Sequence, residues 1–253
     1  MRKILVDAGT SWSKLLELYD SENDLSDSPL NAHFSNLSNL SCNSHVFLDK
    51  DKKEYLGRTF LFPSSQLSKL GLTFDAATGH MVKTMLKSGG NYENEILALA
   101  YGTKKLLNSI DHTTIVDLGS RDVKWVRFED GKYNDLDWNG ACGSATGATV
   151  EMLCRFYSVD PSQISISKEK YPVTCGVFAM EKIMDDIAAD TPAEIAIAKY
   201  IHGIAYNTWN FADKPQKIHL SGGFCLNTCF VKSLELYCEV ELLGRHVLLE
   251  GLF

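Results

Sequence analysis

Three features are missing from this sequence, and each absence excludes a class of function. There is no surplus of basic residues: 25 Lys and Arg stand against 32 Asp and Glu, a formal net charge of -7. Nucleic-acid binders carry clustered positive charge, so no nucleic-acid partner is expected, and solubility accounts for the balance. No apolar run nears the roughly 18 residues that span a bilayer, so no membrane partner is expected. No secretion signal is expected either, because the N-terminal run meets Asp7 before an apolar signal core has formed. The expected location is cytoplasmic.

What is present is ordinary in bulk. The 253 residues are 45% hydrophobic and 23% charged, enough for one large domain or two lobes of roughly 100 residues each. Seven cysteines are unusual without a secretion signal: Cys42, Cys142, Cys154, Cys175, Cys225, Cys229 and Cys238. They are expected as reduced thiols, for which metal or redox roles compete with burial. Cys154 and Cys238 sit in apolar stretches and read as core residues. Cys225 and Cys229 are four apart and can share a helix face, but no partner ligands lie near them in sequence.

Two segments share one pattern. In residues 3–14 and again in 114–124, a β-rich run ends in an Asp (Asp7, Asp117), a Gly follows two residues later (Gly9, Gly119), and a Lys stands seven after the Asp (Lys14, Lys124). Each continues apolar, so each is expected as a β-hairpin with a tight, hydroxyl-rich turn. A repeat 110 residues apart indicates duplicated lobes rather than a solenoid. Residues 21–44, rich in Ser and Asn, are expected as loops and irregular edge structure. Apolar periodicity predicts helices over 94–107, 147–157 and 192–210, the last opening on Thr191-Pro192. Strand 217–220 runs into Ser221-Gly222-Gly223, a turn opening a helix. Strands alternating with helices give the α/β class.

A turn ending in Asp-x-Gly-Thr-Ser offers N–H groups and hydroxyls to phosphate, while its carboxylate can hold hydrated Mg²⁺. Asp-x-Gly is a common turn signature, and the duplicated spacing is what argues against coincidence. Ser221-Gly222-Gly223 adds a place where backbone can approach a nucleotide closely. Asp7 and Asp117 are therefore expected on metal and phosphates, Gly9, Thr10, Ser11, Lys14, Gly119 and Lys124 around them, and Gly222 and Gly223 beside adenosine.

These three elements resemble the phosphate and adenosine segments of the actin, heat-shock-protein and sugar-kinase superfamily. A closer resemblance lies in Asn139-Gly140-Ala141-Cys142-Gly143-Ser144-Ala145-Thr146-Gly147 and Val173-Thr174-Cys175-Gly176-Val177-Phe178-Ala179. They are similar to the Cys-Ala-Ala-Gly-Thr-Gly and Cys-Thr-Val-Phe-Ala segments of the activators of 2-hydroxyacyl-CoA dehydratases and benzoyl-CoA reductases, the BadF/BadG/BcrA/BcrD ATPases. The resemblance runs from Lys3 to Gly251 and implies an actin-like fold: two RNase H-like lobes around an ATP cleft. The lobes are expected at residues 1–109 and 110–240, with 241–253 a shortened return segment. It also implies a [4Fe–4S] cluster shared across a homodimer, with Cys142 and Cys175 matching the ligands. Four thiolates at two per chain require two chains, and a helix start after Cys142 would offer it exposed N–H groups. A buried free Cys at each site, or a disulfide, is the alternative. The implied partners are ferredoxin or flavodoxin as electron donor and an iron–sulfur dehydratase or reductase as acceptor.

Several positions depart from the family. Ala148 replaces an Arg, Met180 a Glu, and Arg121 a Gln in the second phosphate loop. There Asp117, Arg121 and Asp122 are the catalytic candidates, with Arg121 or Asp122 holding the attacking water. The chain stops at Phe253, where the family's final helix would return to the first lobe, and His80 is read as structural or nucleotide-adjacent. Two other functions fit the fold: a small-molecule kinase acting on a sugar or pantothenate, and a nucleotide-sensing protein that does not hydrolyse.

Overall fold

The computed structural model describes residues 2–19, 28, 30–31, 41–48, 53–80, 82–139, 146–173 and 176–253. The chain forms two compact units, Met1–Asn108 with His246–Phe253, and Ser109–Arg245.

The first unit is built on β1 (Arg2–Ala8), β2 (Trp12–Tyr19), β3 (Ser41–Leu48), β4 (Glu54–Pro63), β5 (Phe74–Gly79) and β6 (Leu86–Tyr92). Their order is β3-β4-β2-β1-β5-β6, antiparallel from β3 to β1 and parallel from β1 to β6. The continuous apolar run Ile4-Leu5-Val6 is explained by burial on both faces of the sheet. Ile4, Val6 and Leu15 pack with Phe60, Phe62 and Phe74, whereas Leu5, Leu16 and Leu18 pack with Phe47 and Leu249. Glu17 is fully buried on β2 and pairs at 2.6 Å with Arg58, directly opposite on β4.

Helix α1 (Glu95–Leu106) is capped by Asn94, whose side chain accepts from the Ile96 N–H. The last eight residues also belong to this unit, so the chain does return to it. Residues 41–44, expected as irregular, open strand β3.

The second unit contains β7 (Thr113–Leu118), β8 (Val123–Glu129), β9 (Lys132–Asn139), α2 (Gly147–Phe156), α3 (Gly176–Ala188), α4 (Ala193–Phe211), β10 (Lys217–Gly222), α5 (Thr228–Leu234) and β11 (Glu239–Gly244). A short helix, α6 (Val247–Glu250), follows within the first unit. Strand order β11-β10-β7-β8-β9 puts an antiparallel meander beside two parallel strands. Leaving out β3, the first sheet repeats this order. Both are the RNase H-like arrangement, and the whole chain is mixed α/β. One buried face of α4 (Ile197, Ile201, Ile204) packs with Val116 and Leu118 of β7.

Candidate functional site

The two hairpins fold in one register. Asp7 lies opposite Lys14 across β1 and β2, and Asp117 opposite Lys124 across β7 and β8. Both aspartates are buried, at 4% and 5% exposure. The likeness extends to the next strand. In the first unit β5 sets Thr78 beside Asp7 and Gly79 beside Ala8; in the second, β10 sets Ser221 beside Asp117 and Gly222 beside Leu118.

These two glycines are required by the backbone. Gly79 has φ +96° and Gly222 φ +95°, and a Cβ on either would sit 2.4 Å from the carbonyl oxygen of Ala8 or Leu118. A side chain would meet both a strained conformation and a backbone clash. Sequence reading found Ser221-Gly222 but not its counterpart. The available signal was a second hydroxyl–Gly pair, Thr78-Gly79, closing a β-rich run.

In the first unit the turn of Gly9, Thr10 and Ser11 is tied to Ser64. The Ser64 hydroxyl donates to the Gly9 carbonyl at 2.6 Å, and its N–H to the Ser11 carbonyl at 2.9 Å. The Thr10 side chain remains exposed. Lys14 Nζ donates to Asp7 Oδ2 at 2.7 Å. The Thr78 hydroxyl, fully buried, has no hydrogen-bond partner among the described residues. His80 is exposed, and its N–H donates to the Ala8 carbonyl at 2.8 Å.

The second unit brings together Asp117, Asp122, Lys124, Ser221 and Gly222. The Ser221 hydroxyl donates to Asp117 Oδ1 at 2.7 Å. Lys124 Nζ lies 3.1 Å from Asp122 Oδ1 and 3.9 Å from Asp117 Oδ2. The Trp138 indole N–H, which sequence reading missed, donates to Asp122 Oδ2 at 2.8 Å. Arg121 is half-buried, and its Nε has no partner among the described residues. A buried guanidinium nitrogen without an acceptor is suited to an anionic ligand. A Cβ added at Gly223 meets nothing within 4 Å, which leaves space beside that backbone.

The turn of residues 119–122 is held from below by helix α2. The Gly147 N–H donates to the Gly119 carbonyl at 3.3 Å, the Ala148 N–H to the Ser120 carbonyl at 2.9 Å, and the Thr146 hydroxyl to that same carbonyl. Two of the helix's first N–H groups are thereby spent on this turn. The expectation that they stand exposed for a thiolate is corrected.

Cys142 and Cys175 lie outside the described residues; α3 opens at Gly176, directly after Cys175. Cys154, Cys225 and Cys229 are buried, and Cys238 is half-buried against the same core. Burial pushes the Cys154 thiol up, and those of Cys229 and Cys238 up to about 11, so all three stay protonated at neutral pH. The Cys225 thiol donates to the Leu220 carbonyl. No group of three or more His, Cys, Asp or Glu among the described residues could hold a metal ion. None of their helices is long and apolar enough to cross a membrane.

No protein-family profile matches the chain. The (R)-2-hydroxyglutaryl-CoA dehydratase activating ATPase of Acidaminococcus fermentans is 21% identical over 188 residues, spanning 71% of this chain and 72% of that protein. Among solved structures, the activator of the 2-hydroxyisocaproyl-CoA dehydratase from Clostridium difficile, with bound ADPNP, matches with a TM-score of 0.70 at 17% identity. It covers 100% of this chain and 92% of that one. Component A of the Acidaminococcus fermentans (R)-2-hydroxyglutaryl-CoA dehydratase gives 0.65 at 18% identity, with 100% and 95% covered. The fold is the actin-like ATPase fold.

Proposed function

We propose that this chain, a homologue of the 2-hydroxyglutaryl-CoA dehydratase activating ATPase, is itself an ATP-hydrolysing activator that passes one electron at a time to an iron–sulfur CoA-ester dehydratase or reductase. One observation carries the nucleotide part: the Asp–Lys register and the neighbouring hydroxyl–Gly strand occur twice, once in each unit. Each copy presents a carboxylate, a lysine and a hydroxyl–Gly strand, groups suited to phosphate and a hydrated cation.

In this reading Asp117 holds hydrated Mg²⁺, and Asp7 contributes with Lys14, Thr10 and Ser11 on the phosphates. Gly222 and Gly223 border the adenosine. The unpartnered Arg121 Nε and the open space at Gly223 fit such a ligand. ADPNP bound to the Clostridium difficile activator supports it.

Cys142 and Cys175 would hold the [4Fe–4S] cluster, which needs four thiolates and therefore a symmetric homodimer. The support is chemical: Cys154, Cys225, Cys229 and Cys238 are core residues, three of them with raised thiol pKa values. Bound there, the cluster would supply a one-electron redox centre. A ferredoxin or flavodoxin is the donor and a cytoplasmic location follows. Anaerobic purification with iron and sulfide analysis per dimer tests this: four of each per dimer is the expected result. A colourless protein that phosphorylates a sugar would overturn it in favour of a kinase.

Arg121 governs the hydrolysis rate. A Gln can donate and accept, so it can orient a water in line with the γ-phosphate. Arg only donates, and its fixed charge clamps the phosphates instead. Slow hydrolysis with tight binding is expected, and Arg121→Gln should hydrolyse faster in single-turnover assays. A rate in Arg121→Gln no higher than the parent's would remove Arg121 from the catalytic role.

A further inference from the structure

The two hairpins share a register but not a charge arrangement. Lys14 sits on Asp7 at 2.7 Å, whereas Lys124 stands 3.9 Å from Asp117, beyond hydrogen-bonding distance, and turns to Asp122 at 3.1 Å. The cause is local. Five residues after the Asp, the first hairpin has Trp12 and the second has Asp122, so the second turn itself offers its lysine another carboxylate. Asp122 is only 8% exposed, and its other oxygen accepts the Trp138 indole N–H at 2.8 Å. Trp138 lies directly opposite Lys124 across β8 and β9, with its ring 5.8 Å from the ammonium.

We propose that Trp138 is a positioning residue: by holding Asp122 it keeps Lys124 off Asp117, and so makes Asp117 the carboxylate open to a hydrated divalent cation. This rests on the nucleotide reading above and divides the labour within it. Asp7, paired with Lys14 at contact distance, serves phosphate through its lysine. Asp117 keeps its charge available. Ser221 occupies Oδ1 at 2.7 Å, and Oδ2 has no donor within hydrogen-bonding distance among the described residues. Without the indole N–H, Asp122 is free to rotate, and Lys124 moves toward Asp117, 3.9 Å away.

The test needs no turnover. The chain has four tryptophans, so the parent should show four indole N–H signals by NMR, one of them lost in Trp138→Phe. Asp122→Asn, without nucleotide, should shift that same signal; an unmoved signal overturns the proposal. Calorimetric titration of Mg²⁺ with ADP should then show Trp138→Phe needing about tenfold more Mg²⁺, the effect of one hydrogen bond to a charged group. Trp138→His, which keeps a ring N–H, should recover most of the loss. If Trp138 only covers the sheet edge, both variants melt earlier with the parent's Mg²⁺ dependence, and the proposal falls. Should Trp138→Phe fail to fold, Asp122→Asn must show the same loss of Mg²⁺ affinity, and parent-like affinity there overturns it. A parent that takes no Mg²⁺-ADP overturns the nucleotide reading together with this one, whereas normal parent binding with an unchanged Trp138→Phe overturns this one alone.

Discussion

Asp117→Ala is expected to remove the stabilisation that ATP with Mg²⁺ confers on the parent, about 2.7 kcal/mol at one hundred times the dissociation constant. The buried carboxylate accepts from Ser221 at 2.7 Å, and in our reading its other oxygen faces the hydrated cation. Its loss takes away the anionic anchor. Asp7→Ala should also abolish the response, because it leaves Lys14 without the partner that holds it at 2.7 Å. Each buried aspartate also makes hydrogen bonds to polar or charged groups, so both variants should melt earlier than the parent even without nucleotide. The comparison is therefore each variant with and without ATP and Mg²⁺, read by thermal melting. If both variants respond to ATP as the parent does, the phosphate-hairpin assignment is wrong.

Cys142→Ala and Cys175→Ala are each expected to abolish bound iron and sulfide in anaerobically purified protein and to weaken the dimer, while Cys154→Ala does neither. The contrast follows from environment. Cys154 lies in helix α2 at 4% exposure, packed in the core of the second unit, with its thiol pushed up by burial. A protonated core thiol does not ligate iron, because the ligand form is the thiolate. Two cysteines per chain make four ligands only in a dimer, so losing either should release the cluster and the contact it provides. Iron analysis and gel filtration under nitrogen check both effects. Equal iron in all three variants ends the cluster proposal. Nitrogen is kept throughout, because thiolates oxidise in air.

The hairpins were legible because their information is local. An Asp and a Lys seven apart, flanking a Gly turn between apolar runs, specify a two-stranded register on their own, and both copies took it. The helices over 95–106, 147–156 and 193–211 were legible for the same reason, since periodicity and start signals act within a few turns. Strand β9 was not. Most of its residues are exposed at the sheet edge, so Lys132-Tyr133-Asn134-Asp135-Leu136-Asp137 carries no buried alternation to read. Trp138 consequently appeared only as one more aromatic.

The sequence by itself determined the α/β class, the duplicated Asp–Lys hairpins, the Ser221-Gly222 segment and the two cysteine segments that resemble the dehydratase activators. Only the tertiary structure decided what each aspartate faces. Thr78 reaches Asp7 from 71 residues away and Ser221 reaches Asp117 from 104, through parallel strand pairing. Parallel pairing requires a long crossover, and no local pattern encodes which strand will arrive or in what register. The lysines show the same limit. Lys14 and Lys124 occupy equivalent places in sequence, but a carboxylate on the turn and an indole from the next strand draw only the second away from its aspartate.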